Sequence, residues 1–157
     1  VREIAPGIII AGLDSNVPPD NWSLWDLISA STRGYIDLEQ LRNLESKLDG
    51  VTDEFVVTGL HHLPMQRKPK GKYVPEPLRR TYFDEPEHSR EFRKLARKLD
   101  TLVLCGHDHP KQSRVVKCEG LNFCQGKASG LRFQNKTTYD MYDLYPGRKA
   151  HRLTATV

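Results

Sequence analysis

Short apolar runs that end abruptly in polar residues recur along the chain and predict buried strands. The first, GIIIAGLDSN at residues 7–16, ends in the polar triplet DSN. The second is EFVVTGL at 54–60, and the third is TLVLC at 101–105. Runs this short suit the strands of a sheet that is covered on both faces, and they fall far short of the roughly 20 apolar residues that cross a bilayer.

An amphipathic segment separates the first two runs. DLEQLRNLESKLDG at residues 37–50 predicts a helix in which Asp37 is the N-cap and Gln40 is its capping-box partner. Leucines recur at helical spacing and form one apolar face. They are Leu38, Leu41, Leu44 and Leu48.

A second amphipathic segment, DEPEHSREFRKLARKLD at residues 84–100, predicts another helix, with Asp84 and Glu87 as its candidate capping pair. It lies between the runs at 54–60 and 101–105, so the three elements form a βαβ unit. Such a crossover makes the two strands parallel, and their carboxyl ends then open on the same edge of the sheet.

The rest of the chain completes an α/β fold of one domain spanning residues 1–157. SRVVKC and LNFCQ predict a hairpin across Glu119 and Gly120, and TTYDMYDLY and KAHRLTATV predict another across the PGR stretch. The proline-rich segments 17–34 and 65–83 are expected to be loops.

Composition narrows the class of protein. With 38% apolar and 28% charged residues the chain has the balance of a globular domain, and we expect no membrane segment. The net charge of +4 favours an anionic partner. The three cysteines lack metal-binding spacing and are expected to be reduced thiols, which is typical of a cytoplasmic protein.

Histidines follow two of the predicted strands. His61 and His62 come directly after the strand at 54–60, and His107 and His109 follow the one at 101–105. Imidazole is the commonest nitrogen ligand of zinc, iron and related metals. Because both strand ends open on one edge, the sequence predicts a metal site there, with Gly106 allowing the chain to turn sharply towards it.

The stretches GLHHLP (59–64) and GHDH (106–109) resemble the later motifs of the calcineurin-like metallophosphoesterases, and GLDS (12–15) is similar to a recurrent stretch in bacterial members. The resemblance implies that residues 1–157 are the carboxy-terminal part of one metallophosphoesterase domain, the later half of a four-layer α/β/β/α sandwich. It also implies two divalent ions, manganese, iron or zinc, and hydrolysis of a phosphomonoester or phosphodiester by a metal-activated hydroxide.

The resemblance assigns a role to each histidine of these motifs. His61 and His107 would be ligands of one metal, and His109 a ligand of the other. His62 would lie beside the site and contact substrate, while Asp108 falls at a variable position and receives no ligand role.

The earlier motifs of that family, DxH, GDxxD and GNH followed by Asp or Glu, do not occur in residues 1–157. The catalytic residues and the bridging aspartate are therefore expected upstream of Val1 or on a separate chain. Three neutral imidazoles spread over two sites cannot hold two divalent ions, so we expect little hydrolysis by these residues alone.

The basic loop at 65–83 follows the first histidine pair, and its Arg67 and Lys68 are candidate phosphate ligands. Aromatic residues interleave with its charges, which keeps nucleotide and nucleic-acid substrates open. A solvated surface loop is an equally good interpretation. Two other functions stay open: a non-catalytic half-domain that binds protein or nucleic acid through this loop, and a single structural zinc site.

Overall fold

The computed structural model describes residues 1–16, 23–24, 34–65, 85–107, 114–126, 138–145 and 149–156. Within these ranges the chain is α/β, with a mixed six-stranded sheet, a two-stranded sheet and two helices. In chain order the elements are β1 (Arg2–Ala5), β2 (Ile8–Leu13), α1 (Leu38–Lys47), β3 (Phe55–Leu60), α2 (Ser89–Lys98), β4 (Leu102–Cys105), β5 (Arg114–Cys118), β6 (Leu121–Gln125), β7 (Thr138–Tyr145) and β8 (Lys149–Thr156).

The larger sheet has the strand order β1-β2-β3-β4-β6-β5. Its four inner strands, β2, β3, β4 and β6, run parallel, while β1 and β5 pair antiparallel at the two edges. The predicted βαβ unit is confirmed, because β3 and β4 are parallel neighbours joined through α2. Both predicted hairpins are confirmed as well, β5 with β6 and β7 with β8.

Both helices lie over the same face of this sheet. Strands β2, β3 and β4 follow one another in space as they do in sequence, and right-handed crossovers between them place successive helices on one side. One core cluster accordingly joins residues of both helices to alternate residues of the strands. From α1 it takes Leu41 and Leu44, which are 5% and 3% exposed, and from α2 it takes Phe92, which is 1% exposed.

The first helix begins as predicted, with Asp37 as its N-cap, but Gln40 is not the capping-box partner. The Asp37 carboxylate accepts hydrogen bonds from the backbone N–H groups of Glu39 and Gln40, so Asp37 is the N-cap. The side chain of Gln40 pairs instead with the backbone of Asp14: its Oε1 accepts from the Asp14 N–H at 2.9 Å and its Nε2 donates to the Asp14 carbonyl at 3.1 Å. This pair of bonds ties α1 to the end of β2.

The second helix starts later than predicted, so the proposed capping by Asp84 and Glu87 is wrong. It begins at Ser89 after His88, which takes a left-handed conformation with φ 58° and makes no side-chain cap bond. Glu87 forms an isolated bridge with Tyr35, and its carbonyl accepts from the N–H of Ile36. Asp84 lies outside the described residues.

Three other features bear on the sequence predictions. The edge strand β1 is not among the strands that the sequence predicts. Cys118 pairs in register with Leu121, so it does not face Cys124, and all three cysteines are free thiols. Among the described residues, no helix has the length and apolar character needed to cross a membrane.

Candidate metal centre

The site lies where four parallel strands end. Strands β2, β3, β4 and β6 lead into residues 14–15, 61–62, 106–107 and 126 on one edge of the sheet. Backbone hydrogen bonds extend the pairing past the strand ends: the N–H of Gly106 donates to the carbonyl of His61 at 2.9 Å, and the N–H of Gly126 donates to that of Cys105 at 2.9 Å. The two histidine loops are therefore fixed to each other by the backbone.

His61 and His107 meet directly at this edge. The Nε2 of His61 lies 3.1 Å from the Nδ1 of His107, and their ring centroids are 5.1 Å apart. His61 is exposed and His107 is half-buried. Two imidazole nitrogens bound to one zinc ion at about 2.0–2.1 Å would lie roughly 3–3.4 Å apart. The observed separation fits two ligands of one ion, and in the metal-free protein it is also that of a hydrogen bond between the rings.

The turn into the second histidine pair is made by His107 itself. His107 has φ 66°, in the left-handed region, and Gly106 has no positive φ. A Cβ at Gly106 would meet only ordinary contacts, the nearest being the His61 carbonyl at 3.6 Å, so the expectation that this glycine is needed for the turn is wrong. A left-handed histidine costs of order 1–3 kcal/mol and is a feature that clusters at functional sites.

His62 lies beneath this pair. It is 1% exposed, and its ring is 4.8 Å from that of His61 and 4.3 Å from that of His107, measured between centroids. The hydroxyl of Ser15 accepts a hydrogen bond from the His62 backbone N–H at 3.0 Å and lies 3.0 Å from the His62 Nδ1. Ser15 has no exposed surface, so the contact is shielded from solvent.

Gly34 lies close against the His62 ring. A Cβ at this position would lie 2.4 Å from the Cγ of His62, a separation that real Cβ atoms do not show. Gly34 also has φ 85°, which favours glycine. The next residue, Tyr35, donates its N–H to the carbonyl of Ser15 at 3.0 Å. The segment at 34–35 is thus bonded to the end of β2, and both lie close to the His62 imidazole.

Gln125 at the end of β6 supports the His107 loop. It is 1% exposed, its Nε2 donates to the carbonyl of Gly106 at 3.2 Å, and its Oε1 accepts from the Nε of Arg114 at 2.7 Å. The carbonyl before His107 is therefore held by a buried side chain on the neighbouring strand.

The exit of the His61–His62 loop is held by a buried guanidinium. Arg93 of α2 is 5% exposed, and its Nη1 donates to the Pro64 carbonyl at 2.8 Å and to Glu85 at 2.7 Å. Its Nη2 lies 3.2 Å from Glu119. Burial lowers the pKa of Arg93, but the hydrogen bonds and charges of Glu85 and Glu119 outweigh it and raise the pKa above its ordinary value.

Glu119 is the outer partner of this network. Hydrogen bonds from Arg97, at 2.6 Å, and from Arg93 lower the pKa of its carboxyl group below the ordinary value. Arg93 therefore stays charged and Glu119 ionised at neutral pH. The helix, the hairpin turn and the histidine loop are joined through charge-assisted hydrogen bonds, which are stronger than neutral ones.

The structure brings three of the predicted site residues together. Ligand atoms of His61, His62 and His107 all lie within 4.8 Å of one another, a group able to hold a metal ion. The predicted ligand His109, its neighbour Asp108, and the candidate phosphate ligands Arg67 and Lys68 lie outside the described residues.

Sequence reasoning missed Ser15 as part of this site, although a signal was present. Leu13 pairs in register with Leu60 across β2 and β3. Continuing that parallel register by two residues places residue 15 beside residue 62, so the GLDS stretch and the histidine pair are neighbours once the two strands are aligned.

Comparisons with known proteins add no identification: no family model matches the chain, and no curated protein sequence matches it.

Proposed function

We propose that this chain is part of a metal-dependent phosphoesterase, in which His61 and His107 bind one of two divalent ions. The observation that supports it best is the 3.1 Å separation of the His61 Nε2 and the His107 Nδ1 at the carboxyl edge of a parallel sheet. The ions would be manganese, iron or zinc, all of which accept imidazole ligands.

The chain's own residues would hold a metal ion in place and orient the phosphate group. When bound, a two-metal centre supplies an activated hydroxide and neutralises charge on the phosphoryl oxygens. The His61–His107 pair would fix one ion, and the backbone bond between Gly106 and His61 would keep the two ligands in register. His109 would serve the second ion, and Arg67 and Lys68 would neutralise phosphate charge from the loop at 65–83.

The remaining ligands and the catalytic groups are proposed to lie outside residues 1–157, on upstream sequence or on another chain. The apolar character of the second sheet face supports a further layer there. By register Ile10, Val57 and Val115 lie on the face opposite the helices. Val57, in the middle of this face, is buried at 2% exposure, whereas Ile10 and Val115, towards the two edges of the sheet, are 39% and 49% exposed. A second sheet on that face would complete the four-layer α/β/β/α sandwich that the motif resemblance implies.

Turnover of a phosphomonoester and a phosphodiester by the intact protein tests the proposal. After removal of metal by a chelator, added Mn²⁺ should restore hydrolysis of p-nitrophenyl phosphate or its bis ester. His107→Ala should reduce that activity by roughly 10²-fold or more, since even a group that only supports a ligand can be worth 10–100-fold.

The matched control is His88→Asn, which removes an imidazole at the start of α2 and keeps a residue that tolerates a left-handed backbone. It should leave turnover unchanged. Metal-dependent turnover by His107→Ala at the wild-type rate would refute the assignment. Metal binding without any phosphoester hydrolysis would favour the structural zinc site instead.

A further inference from the structure

An arginine is fixed at the sheet edge on which the histidines lie. Strand β5 runs antiparallel to β6, so its first residue, Arg114, pairs in register with Gln125 at the carboxyl end of β6. Arg114 is exposed, whereas Gln125 is buried at 1% exposure. The Nε of Arg114 donates a hydrogen bond to the Gln125 Oε1 at 2.7 Å. An exposed guanidinium is thus anchored to a buried amide.

The same amide links Arg114 to the loop that carries His107. A guanidinium only donates hydrogen bonds, so Gln125 must turn its carbonyl oxygen towards Arg114. Its amide nitrogen then faces the other way and donates to the Gly106 carbonyl at 3.2 Å. Gly106 directly precedes His107. Two hydrogen bonds through one buried side chain therefore fix the guanidinium relative to the histidine loop.

The anchor of Arg114 is neutral, which distinguishes this arginine from other cations of the described residues. Arg93, Arg97 and Lys98 are each paired with a glutamate. Within the described ranges Arg114 belongs to no ion pair, and its hydrogen bond uses the Nε alone. The Nη1 and Nη2 groups form the forked end of the guanidinium, which matches two oxygens of a carboxylate or phosphate. The charge and the fork can therefore both serve an anionic ligand.

The strand order sets how far Arg114 lies from the histidines. Strands β4, β6 and β5 are successive neighbours in the sheet. Neighbouring strands lie about 4.8 Å apart, so the backbone of Arg114 is roughly 10 Å from the strand that leads into His107. The Arg114 side chain contacts Gln125 on the strand between them, so the guanidinium spans part of that distance. A phosphate bound at the His61–His107 pair would leave Arg114 to a neighbouring group of the same substrate.

We propose that Arg114 determines substrate specificity by binding a second anionic group, a carboxylate or a phosphate, of a phosphoester whose scissile phosphate lies at the His61–His107 pair. This role rests on the proposed function and narrows its substrate class to phosphoesters that carry such a group. A charge that only keeps an edge strand from pairing with another chain needs exposure and no buried anchor. The bond to Gln125 holds the guanidinium in place before a ligand binds, which lowers the entropy lost on binding.

Calorimetric binding of three phosphonates to the intact, Mn²⁺-loaded protein tests this role without hydrolysis, because a phosphonate has no ester bond to cleave. Propylphosphonate has one anionic group. The other two probes carry a second anionic group at its third carbon, a carboxylate in 3-phosphonopropionate and a phosphonate in propane-1,3-diphosphonate. Wild type should bind at least one of these two about 10–100-fold more tightly than propylphosphonate, the range expected for hydrogen bonds between charged groups. The probe that gains affinity identifies the second group as a carboxylate or a phosphate.

Variants of β5 assign this gain in affinity to Arg114. Arg114→Gln should remove the gain and leave the affinity for propylphosphonate unchanged. Arg114→Lys keeps the charge without the fork and should retain only part of the gain. The matched control is Lys117→Gln, which removes one positive charge from an exposed position of the same strand, three residues further from the edge. It should bind all three probes as the wild type does.

No gain in wild type, a full gain in Arg114→Gln, or an equal loss in Lys117→Gln would overturn the role of Arg114. Failure of the proposed function looks different: the Mn²⁺-loaded protein would hydrolyse no phosphoester, while the gain in affinity that depends on Arg114 persisted.

Discussion

Alanine at position 34 is expected to destabilise the protein and to disturb the histidine cluster at the same time. The added Cβ would lie 2.4, 2.6 and 2.7 Å from the Cγ, Nδ1 and Cβ of His62. The ring has little room to yield, because it is 1% exposed and its Nδ1 lies 3.0 Å from the buried Ser15 hydroxyl. Overpacking of this kind costs about 1–3 kcal/mol. The left-handed backbone, at φ 85°, costs an alanine roughly 1–2 kcal/mol more.

The combined loss of about 2–5 kcal/mol in the free energy of unfolding corresponds to a fall in Tm of roughly 5–20 °C for a domain of this size. Gly50→Ala is the matched control. Gly50 has nearly the same φ, 82°, but a Cβ there would have no neighbour within 4 Å. Gly50→Ala should therefore lose only the free energy of unfolding that a left-handed backbone costs an alanine, about 1–2 kcal/mol.

Urea unfolding of both variants, followed by circular dichroism, gives the difference between them. Zn²⁺ affinity supplies the second readout: it should fall in Gly34→Ala and stay at the wild-type value in Gly50→Ala. If the two variants lose the same stability and both keep the wild-type affinity, the close packing of Gly34 against His62 is not what the site depends on.

Three further results are expected. Arg93→Met removes the charged donor to the Pro64 carbonyl and should cost about 1.5–3 kcal/mol in urea unfolding, and an unchanged midpoint would show that the network does not hold the loop. Because Arg97 and Arg93 lower the pKa of Glu119 below its ordinary 4.5, its contribution to stability is present above that pH and lost as the pH falls through the folded-state value. Glu119→Gln should therefore be less stable than wild type at pH 7 and converge with it in acid, and a difference independent of pH would refute this. Thr101→Val removes a buried hydroxyl that is bonded to that of Thr58 at 2.9 Å and should lose roughly 1–3 kcal/mol of stability, and an unchanged unfolding free energy would contradict a contribution from this buried pair.

The strands, and the sheet edge at which their carboxyl ends lie, could be predicted because neighbouring residues in the sequence mark each strand. An apolar run followed by a polar stop marks where β3 and β4 end, and parallel pairing through a βαβ unit brings His61 and His107 to one edge. Strand β1 gave no such signal, since all four of its residues are exposed and no apolar alternation marks it.

Two of the misses arose where a residue's partner is distant in sequence. Gln40 has the spacing of a capping-box residue, but its side chain bonds to Asp14, 26 positions away. The partner of His62 is Ser15, 47 positions away, and only the strand register reveals it. The turn at residues 106–107 was assigned to the glycine because glycine adopts positive φ most easily, yet the histidine adopts it.

The central claim is that His61 and His107 bind a metal ion, and elemental metal analysis of the intact protein tests it most directly. The protein would be purified without chelator and compared with His107→Ala and with the His88→Asn control. We expect manganese, iron or zinc in wild type and in His88→Asn, and a clear loss of metal in His107→Ala. Wild-type protein without metal, or the same metal content in all three, would contradict the assignment.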